Sequence, residues 1–195
     1  MLAGFAGRVS VDLGTGDGRL PYTLAREAPE RLFVGVDANV AGLRRLSGRA
    51  ARERLANVIY VRASADVPPL ELAGVADRVT VVLPWGSLLA AVAGPRVPAL
   101  AAIRALCQPR ATLSVVFSVS GRDVGEARRL GVPPLDGGHL QDLAAGYGAA
   151  GFTVIRMRQL DLDQLAAFPS TWARRLAHGR PRPVFQIEAR AGAGE

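Results

Sequence analysis

VDLGTGDGRLPY, residues 11–22, is the stretch from which the rest of the chain can be read. The run before it, RVSVDL (8–13), has the length and β-branched content of a strand. It ends near Asp12, and three glycines then alternate: Gly14, Gly16 and Gly18. LPYTLAREA (20–28) reads as a helix, with Pro21 tolerated in its first turn. A strand, a glycine loop and a helix in succession put bare backbone at the C-terminal end of a strand, where open α/β sheets bind ligands. Glycine permits the tight turn and lets a ligand approach the main chain to van der Waals contact. The alternating glycines therefore predict a bound small molecule. The alternative is a plain glycine turn with capping Asp residues.

Downstream, apolar strands and amphipathic helices alternate. RLFVGVDA (31–38), NVIYVRA (57–63), DRVTVVLPW (77–85) and ATLSVVFSV (111–119) read as further strands, and FTVIRMRQL (152–160) and PVFQIEARA (183–191) as two that close the sheet. VAGLRRLSGRAARERL (40–55), PALAAIRALC (98–107), GGHLQDLAAGYGAAGF (137–152) and STWARRLA (170–177) read as helices, the third ending in a turn. Such alternation predicts an α/β fold with a mostly parallel sheet and right-handed crossovers. The apolar runs of strands one, two, four and five suit strands covered on both faces. The 66–74, 94–98, 120–138 and 178–183 stretches read as Pro/Gly-rich loops. One domain over 1–190 is expected, with a frayed tail at 191–195.

The composition narrows the function. The net charge is +7, the 24 basic residues are all Arg, and Lys is absent. Arg pairs bidentately with phosphate, so a polyanionic partner such as nucleic acid is favoured. A GC-rich genome would also explain the missing Lys, though less well the net positive excess. The single cysteine, Cys107, excludes an intramolecular disulfide and a Cys-based metal cluster within one chain; its place late in an apolar helix suggests core packing. No metal site is expected. No long apolar run suggests a membrane span or a signal peptide, so a cytoplasmic protein is expected.

The spacing G-x-G-x-G, with Asp12 two residues before the first glycine, departs from the dinucleotide fingerprint G-x-G-x-x-G. A carboxylate repels a pyrophosphate but attracts an ammonium. Asp37 ends the second strand, where an acidic side chain accepts ribose hydroxyls. Ala65 and Asp66 follow the third, where an adenine edge could meet a backbone N–H and a carboxylate. Ammonium, ribose and adenine without phosphate describe S-adenosylmethionine.

The only two tryptophans mark a second constellation. Trp85 follows strand four, and Trp172 lies among Arg174, Arg175, Arg180 and Arg182. Ordinary packing would account for either alone. Converging over a cofactor, aromatic faces can hold an extruded base, and arginines can grip the flanking phosphates.

DLGTGDGRLPYTLA, GVDAN (35–39), LPWGSLL (83–89) and STWARRL (170–176) together resemble the aminoglycoside-resistance 16S rRNA methyltransferases that modify N1 of adenosine 1408. The resemblance runs from about position 9 to 188. It implies a class I, Rossmann-like methyltransferase fold with a seven-stranded sheet and helices on both faces. It implies that Asp12, Gly14, Asp37, Ala65 and Asp66, with Gly16, Leu83 and Ser87, form the cofactor pocket. Trp85 and Trp172 would sandwich the flipped adenine beside Ser170, and Arg175, Arg180, Arg182 and Arg49 would hold rRNA. The 30S subunit is the expected partner and a monomer the expected state. Members carry an N-terminal hairpin before the glycine loop; here the first strand begins at Arg8, so weaker docking is expected. They commonly have Glu where Asp66 stands. The 120–138 loop, with Arg122, Arg128 and Arg129, has no secure counterpart in the group and reads equally well as a substrate-facing insertion or as a solvated loop.

Adenine N1 keeps a free lone pair at neutral pH, so no catalytic base is needed and positioning can carry the reaction. Indole faces would favour the cationic product ring, by about 0.5–2 kcal/mol each. Three other readings stay open: a methyltransferase for tRNA or a small molecule, an NAD-dependent oxidoreductase, and a non-catalytic rRNA-binding protein.

Overall fold

The computed structural model describes residues 7–94, 96–119, 124–133, 137–178 and 182–193. Seven strands form one sheet in the order β3-β2-β1-β4-β5-β7-β6. They are β1 (Arg8–Leu13), β2 (Arg31–Asp37), β3 (Val58–Arg62), β4 (Ala76–Val82), β5 (Cys107–Phe117), β6 (Phe152–Leu160) and β7 (Val184–Ala191). β1 pairs in parallel with both β2 and β4, and β7 is antiparallel to β5 and β6. The chain order reverses between β1 and β4, so the ligand crevice of a doubly wound sheet falls beyond the ends of those strands.

Helices cover both faces. α1 (Arg19–Glu27) and α2 (Val40–Arg52) pack Tyr22, Ala25, Leu46 and Ala50 against Phe33 and Val58. On the opposite face α3 (Gly86–Ala93), α4 (Val97–Ala105), α5 (Val124–Arg129) and α6 (Gly137–Ala149) bury Leu89, Ile103, Ala127 and Leu143 against Val11, Val34, Val79 and Val115. α7 (Leu162–Ala166) and α8 (Thr171–Ala177) close a third cluster over Val116, Leu160 and Val184. No single described helix is long and apolar enough to cross a membrane.

Several boundaries differ from the sequence reading. Strand four ends at Val82, not Trp85, because Leu83 turns into the left-handed region (φ 52°) and Pro84 follows. The next residues form α3, which the sequence reading had not assigned. β5 starts at Cys107, so this cysteine opens a strand rather than ending a helix. It is buried and its thiol is pushed up to about 11 by burial. The 120–138 loop contains α5; residues 120–123, Arg122 among them, and 134–136 lie outside the described residues. Ala191, expected in a frayed tail, is the buried last residue of β7. β1 and β2 are covered on both faces as expected, but β4 and β5 alternate: Arg78 is exposed, and Thr80, Thr112 and Ser114 are half-buried.

Candidate active site

The loop after β1 is fixed by its own backbone. Gly14, Gly16 and Gly18 all take positive φ, 68°, 63° and 75°. The Gly14 and Thr15 N–H groups donate to the Val36 carbonyl at 2.8 and 3.1 Å. Gly16 N–H donates to Asp37 Oδ2 at 2.8 Å, and Asn39 N–H to Asp37 Oδ1 at 2.7 Å. Asp37 thus ties the loop to the end of β2 and to the start of α2, where Asn39 caps Ala41 N–H. Gly42 brings α2 so close that a Cβ there would stand 2.7 Å from the Gly16 carbonyl oxygen.

Above the loop lies a cleft of about 1310 Å³, part of it open to solvent. Gly14, Gly16, Asp37, Ala65, Leu83, Ser87, Ser170, Trp85 and Trp172, nine positions singled out in the sequence, all line it. Asp12 and Asp66 do not. Strand alternation turns Asp12 into the protein beneath the loop, where it is 6% exposed and accepts from the Thr80 hydroxyl at 2.8 Å. Burial pushes its carboxyl up to about 6, against the Thr15 and Thr80 hydroxyls, which lower it; the charge of Asp37 adds to the rise. Asp66 is exposed and reaches the cleft at one remove: its Oδ2 accepts from Ser87 Oγ at 2.6 Å.

The electrostatics of the lining are one-sided. It contains two carboxylates, Asp17 and Asp37, and no Arg, in a chain that carries +7 overall. Such a wall repels a pyrophosphate and suits a cationic, phosphate-free ligand.

At the mouth, Trp85 and Trp172 are 55% and 51% exposed. They share a second, shallow hollow, open to solvent, with Leu83, Pro84, Leu89, Ser118, Leu176 and Arg182. Trp85 stands immediately before α3, held there by the Leu83–Pro84 turn, and Trp172 lies in the first turn of α8. Ser170 caps α8 by accepting from Ala173 N–H at 3.5 Å. The Arg175 guanidinium lies 5.5 Å from the Trp172 ring centroid, within cation–π range. Arg180 lies outside the described residues. Arg49 is elsewhere: on α2 it pairs with Glu53 at 2.7 Å and stacks on Tyr22 at 5.3 Å, away from both hollows.

A family model described as NpmA: 16S rRNA (adenine(1408)-N(1))-methyltransferase matches residues 2–191. The chain belongs to this family. The 16S rRNA (adenine(1408)-N(1))-methyltransferase of Escherichia coli is 32% identical over 187 residues, covering 92% of this chain and 85% of that protein. The enzyme of the same name from Streptoalloteichus hindustanus is 35% identical over 194 residues, covering 94% and 86%. Among solved structures, a variant of the Catenulisporales acidiphilia enzyme with cosubstrate SAM superposes with a TM-score of 0.85 at 32% identity, covering 98% and 88%. The aminoglycoside resistance methyltransferase NpmB1 superposes at 0.83 with 36% identity, covering 97% and 90%. The fold is the class I, Rossmann-like methyltransferase fold, and the cofactor of the family is S-adenosylmethionine.

The cleft residues fit that cofactor. Thr15 Oγ1 is buried without a well-formed hydrogen bond. Each Asp37 oxygen accepts one backbone N–H and keeps a lone pair for a hydroxyl. The carboxylate-rich, Arg-free lining suits a sulfonium and an ammonium. Thr15, Asp17, Asn39, Ser64 and Pro84 also line the cleft and were missed from the sequence, although Thr15, Asp17, Asn39 and Pro84 lie inside the motifs that carried the resemblance.

Proposed function

We propose that this protein methylates N1 of adenosine 1408 in the 16S rRNA of the 30S subunit and so weakens aminoglycosides that read that edge. The observation that carries the reading is the pair of half-exposed indoles sharing one hollow beside an acidic cleft. Tryptophan is usually largely buried, and two left at one rim offer a stacking platform for a base.

Gly14, Gly16, Asp37 and Ala65 would hold S-adenosylmethionine, which when bound would supply an electrophilic methyl group from its sulfonium, the sulfur leaving as a neutral thioether. Trp85 and Trp172 stack the extruded adenine, with Ser170 at its edge. Stacking contributes about 1–3 kcal/mol per base, which offsets part of the unstacking cost. N1 attacks with its own lone pair, so no side chain has to remove a proton first. The ring becomes cationic on methylation, and the indole faces stabilise that charge. Arg175 and Arg182, with Arg180, grip phosphates around the target, while Arg49, on α2 away from both hollows, would meet only a more distant stretch of the rRNA. A methyl group and a positive charge at N1 then remove a hydrogen-bond acceptor and repel a polycationic drug. The protein acts as a cytoplasmic monomer on the assembled subunit.

The test is methyl transfer from labelled S-adenosylmethionine to 30S subunits, mapped by primer extension. A reverse-transcription stop at adenosine 1408 is expected. Label in tRNA or elsewhere in the subunit, or salt-sensitive binding to 30S without transfer, would overturn the proposal.

A further inference from the structure

One hydroxyl joins the two halves of the site. Thr171, the first residue of α8 and the neighbour of Trp172, donates to Asp17 Oδ2 at 2.7 Å and accepts from Arg19 Nε at 2.9 Å. Asp17 belongs to the glycine loop, and its Oδ1 accepts the Arg19 backbone N–H at 3.2 Å. Arg19 Nε also stands 3.8 Å from Asp17 Oδ2. The contacts close into a ring between elements 154 residues apart in sequence. The ion pair alone would contribute little, because both side chains are about one-third exposed. The Thr171 hydroxyl is different: it is half-buried and held by two charge-assisted bonds.

α8 is only seven residues long, too short to be stable by itself. Its orientation is therefore set by what it touches. Ala173 is fully buried in the third cluster, and Leu176 packs beside it. Those apolar contacts fix the depth of the helix but are non-directional. The Thr171 bonds are directional, and they lead to the loop on which the cofactor sits.

We propose that Thr171 is a positioning residue for methyl transfer, its bonds to Asp17 and Arg19 fixing the Trp172 ring relative to the glycine loop. This rests on Trp172 as a ring that stacks the target base. In-line attack tolerates little misplacement, and a shift of about 1 Å can cost roughly a hundredfold in rate. A latch between donor loop and clamp helix sets that alignment directly.

Thr171→Val keeps the shape and removes the hydroxyl. Single-turnover methylation at saturating 30S should fall about tenfold or more, while affinities for S-adenosylmethionine and for 30S stay within about twofold. Thr171→Ser should restore the rate to within about threefold of wild type. Asp17→Ala should slow the reaction comparably, and the double variant should be no slower than the worse single one. The latch is overturned if Thr171→Val keeps its rate, if Ser fails to rescue, if the losses multiply, or if lost 30S affinity accounts for the whole effect. Trp172→Ala separates the two claims. A normal rate in that variant removes the stacking reading, whereas a slow Trp172→Ala beside a normal Thr171→Val removes only the latch.

Discussion

The glycine loop and the indole rim border the same cleft but are built on opposite plans. On the loop side, Asp37 takes two backbone N–H groups, Val36 takes two more, and Tyr60 donates to the Gly18 carbonyl at 3.0 Å. A Cβ on Gly18 would meet the Tyr60 ring at 2.4 Å. The loop is assembled before any ligand arrives, so little ordering cost remains to be met on binding. On the rim, two large apolar rings stand half in water. Trp85 makes no side-chain capping bond to α3, and Trp172 has the Arg175 guanidinium over its ring. One side is a finished mould, and the other holds unspent apolar surface that a stacked base would cover. Exposed apolar surface of this kind is expected where activity and stability compete.

The sharpest way to break this contrast is to remove the rim. Trp85→Ala with Trp172→Ala should cut methylation of 30S by more than a hundredfold. Two stacking contacts at about 1–3 kcal/mol each allow that much. The melting temperature and the calorimetric affinity for S-adenosylmethionine should change little, because the loop is held by other bonds. Unaltered methylation would mean that the indoles are packing residues. A collapse of cofactor binding would mean that the two sides are not independent.

The loop side can be probed through the carboxylate beneath it. Asp12 titrates near 6 in the fold against an ordinary 3.8. The native state thus holds a proton that the unfolded chain releases over that interval. Asp12 therefore favours folding most at low pH, and this advantage is lost as pH rises through about 4 to 6. Asn cannot titrate. The stability of Asp12→Asn relative to wild type should grow by on the order of 1 kcal/mol between pH 5 and 7.5. Urea unfolding at the two pH values measures this, and the background titration of other groups is common to both proteins. Saturating S-adenosylmethionine should flatten the difference, since a cationic ligand favours the ionised carboxylate. A difference that is flat without ligand would mean that Asp12 is solvated and the loop looser than its hydrogen bonds imply.

The same contrast explains what could be read from the sequence. The cofactor loop was legible because its demands are local: a strand, positive-φ glycines and an acid at the end of the next strand all leave residue signatures. The indoles were legible as motifs, although their meeting depends on the end of β4 and the start of α8 lying at the same end of the sheet. α3 was not, because GSLLAAVA buries six of eight positions and shows no helical face against which to count a period. The first half of β5 was hidden by Pro109 and by Arg110 at φ 61°, residues that read as a turn but sit at a shift in the β4–β5 register. Asp12 was found, but the alternation that turns it beneath the loop was not followed through. Thr171 lay in view inside STWARRL, yet its role needs Asp17 and Arg19 across the cleft, which no spacing predicts.

The smallest effect concerns what organises the rim. Arg175 stacks on Trp172 in the free protein and was also read as a phosphate ligand, and the two roles give different signatures. If it grips phosphate, Arg175→Gln should lower the slope of log affinity for 30S against log salt by about one, with the saturated rate unchanged. If it holds the indole, the salt slope should stay and the saturated rate should fall roughly two- to fivefold, as an exposed cation–π contact of about 0.5–1 kcal/mol allows. We expect the first pattern to dominate, because an indole has two faces and a base can stack on the one opposite the guanidinium. The second pattern would mean that part of the rim is built before rRNA arrives, and the line between mould and open surface would then run through Trp172 rather than beside it.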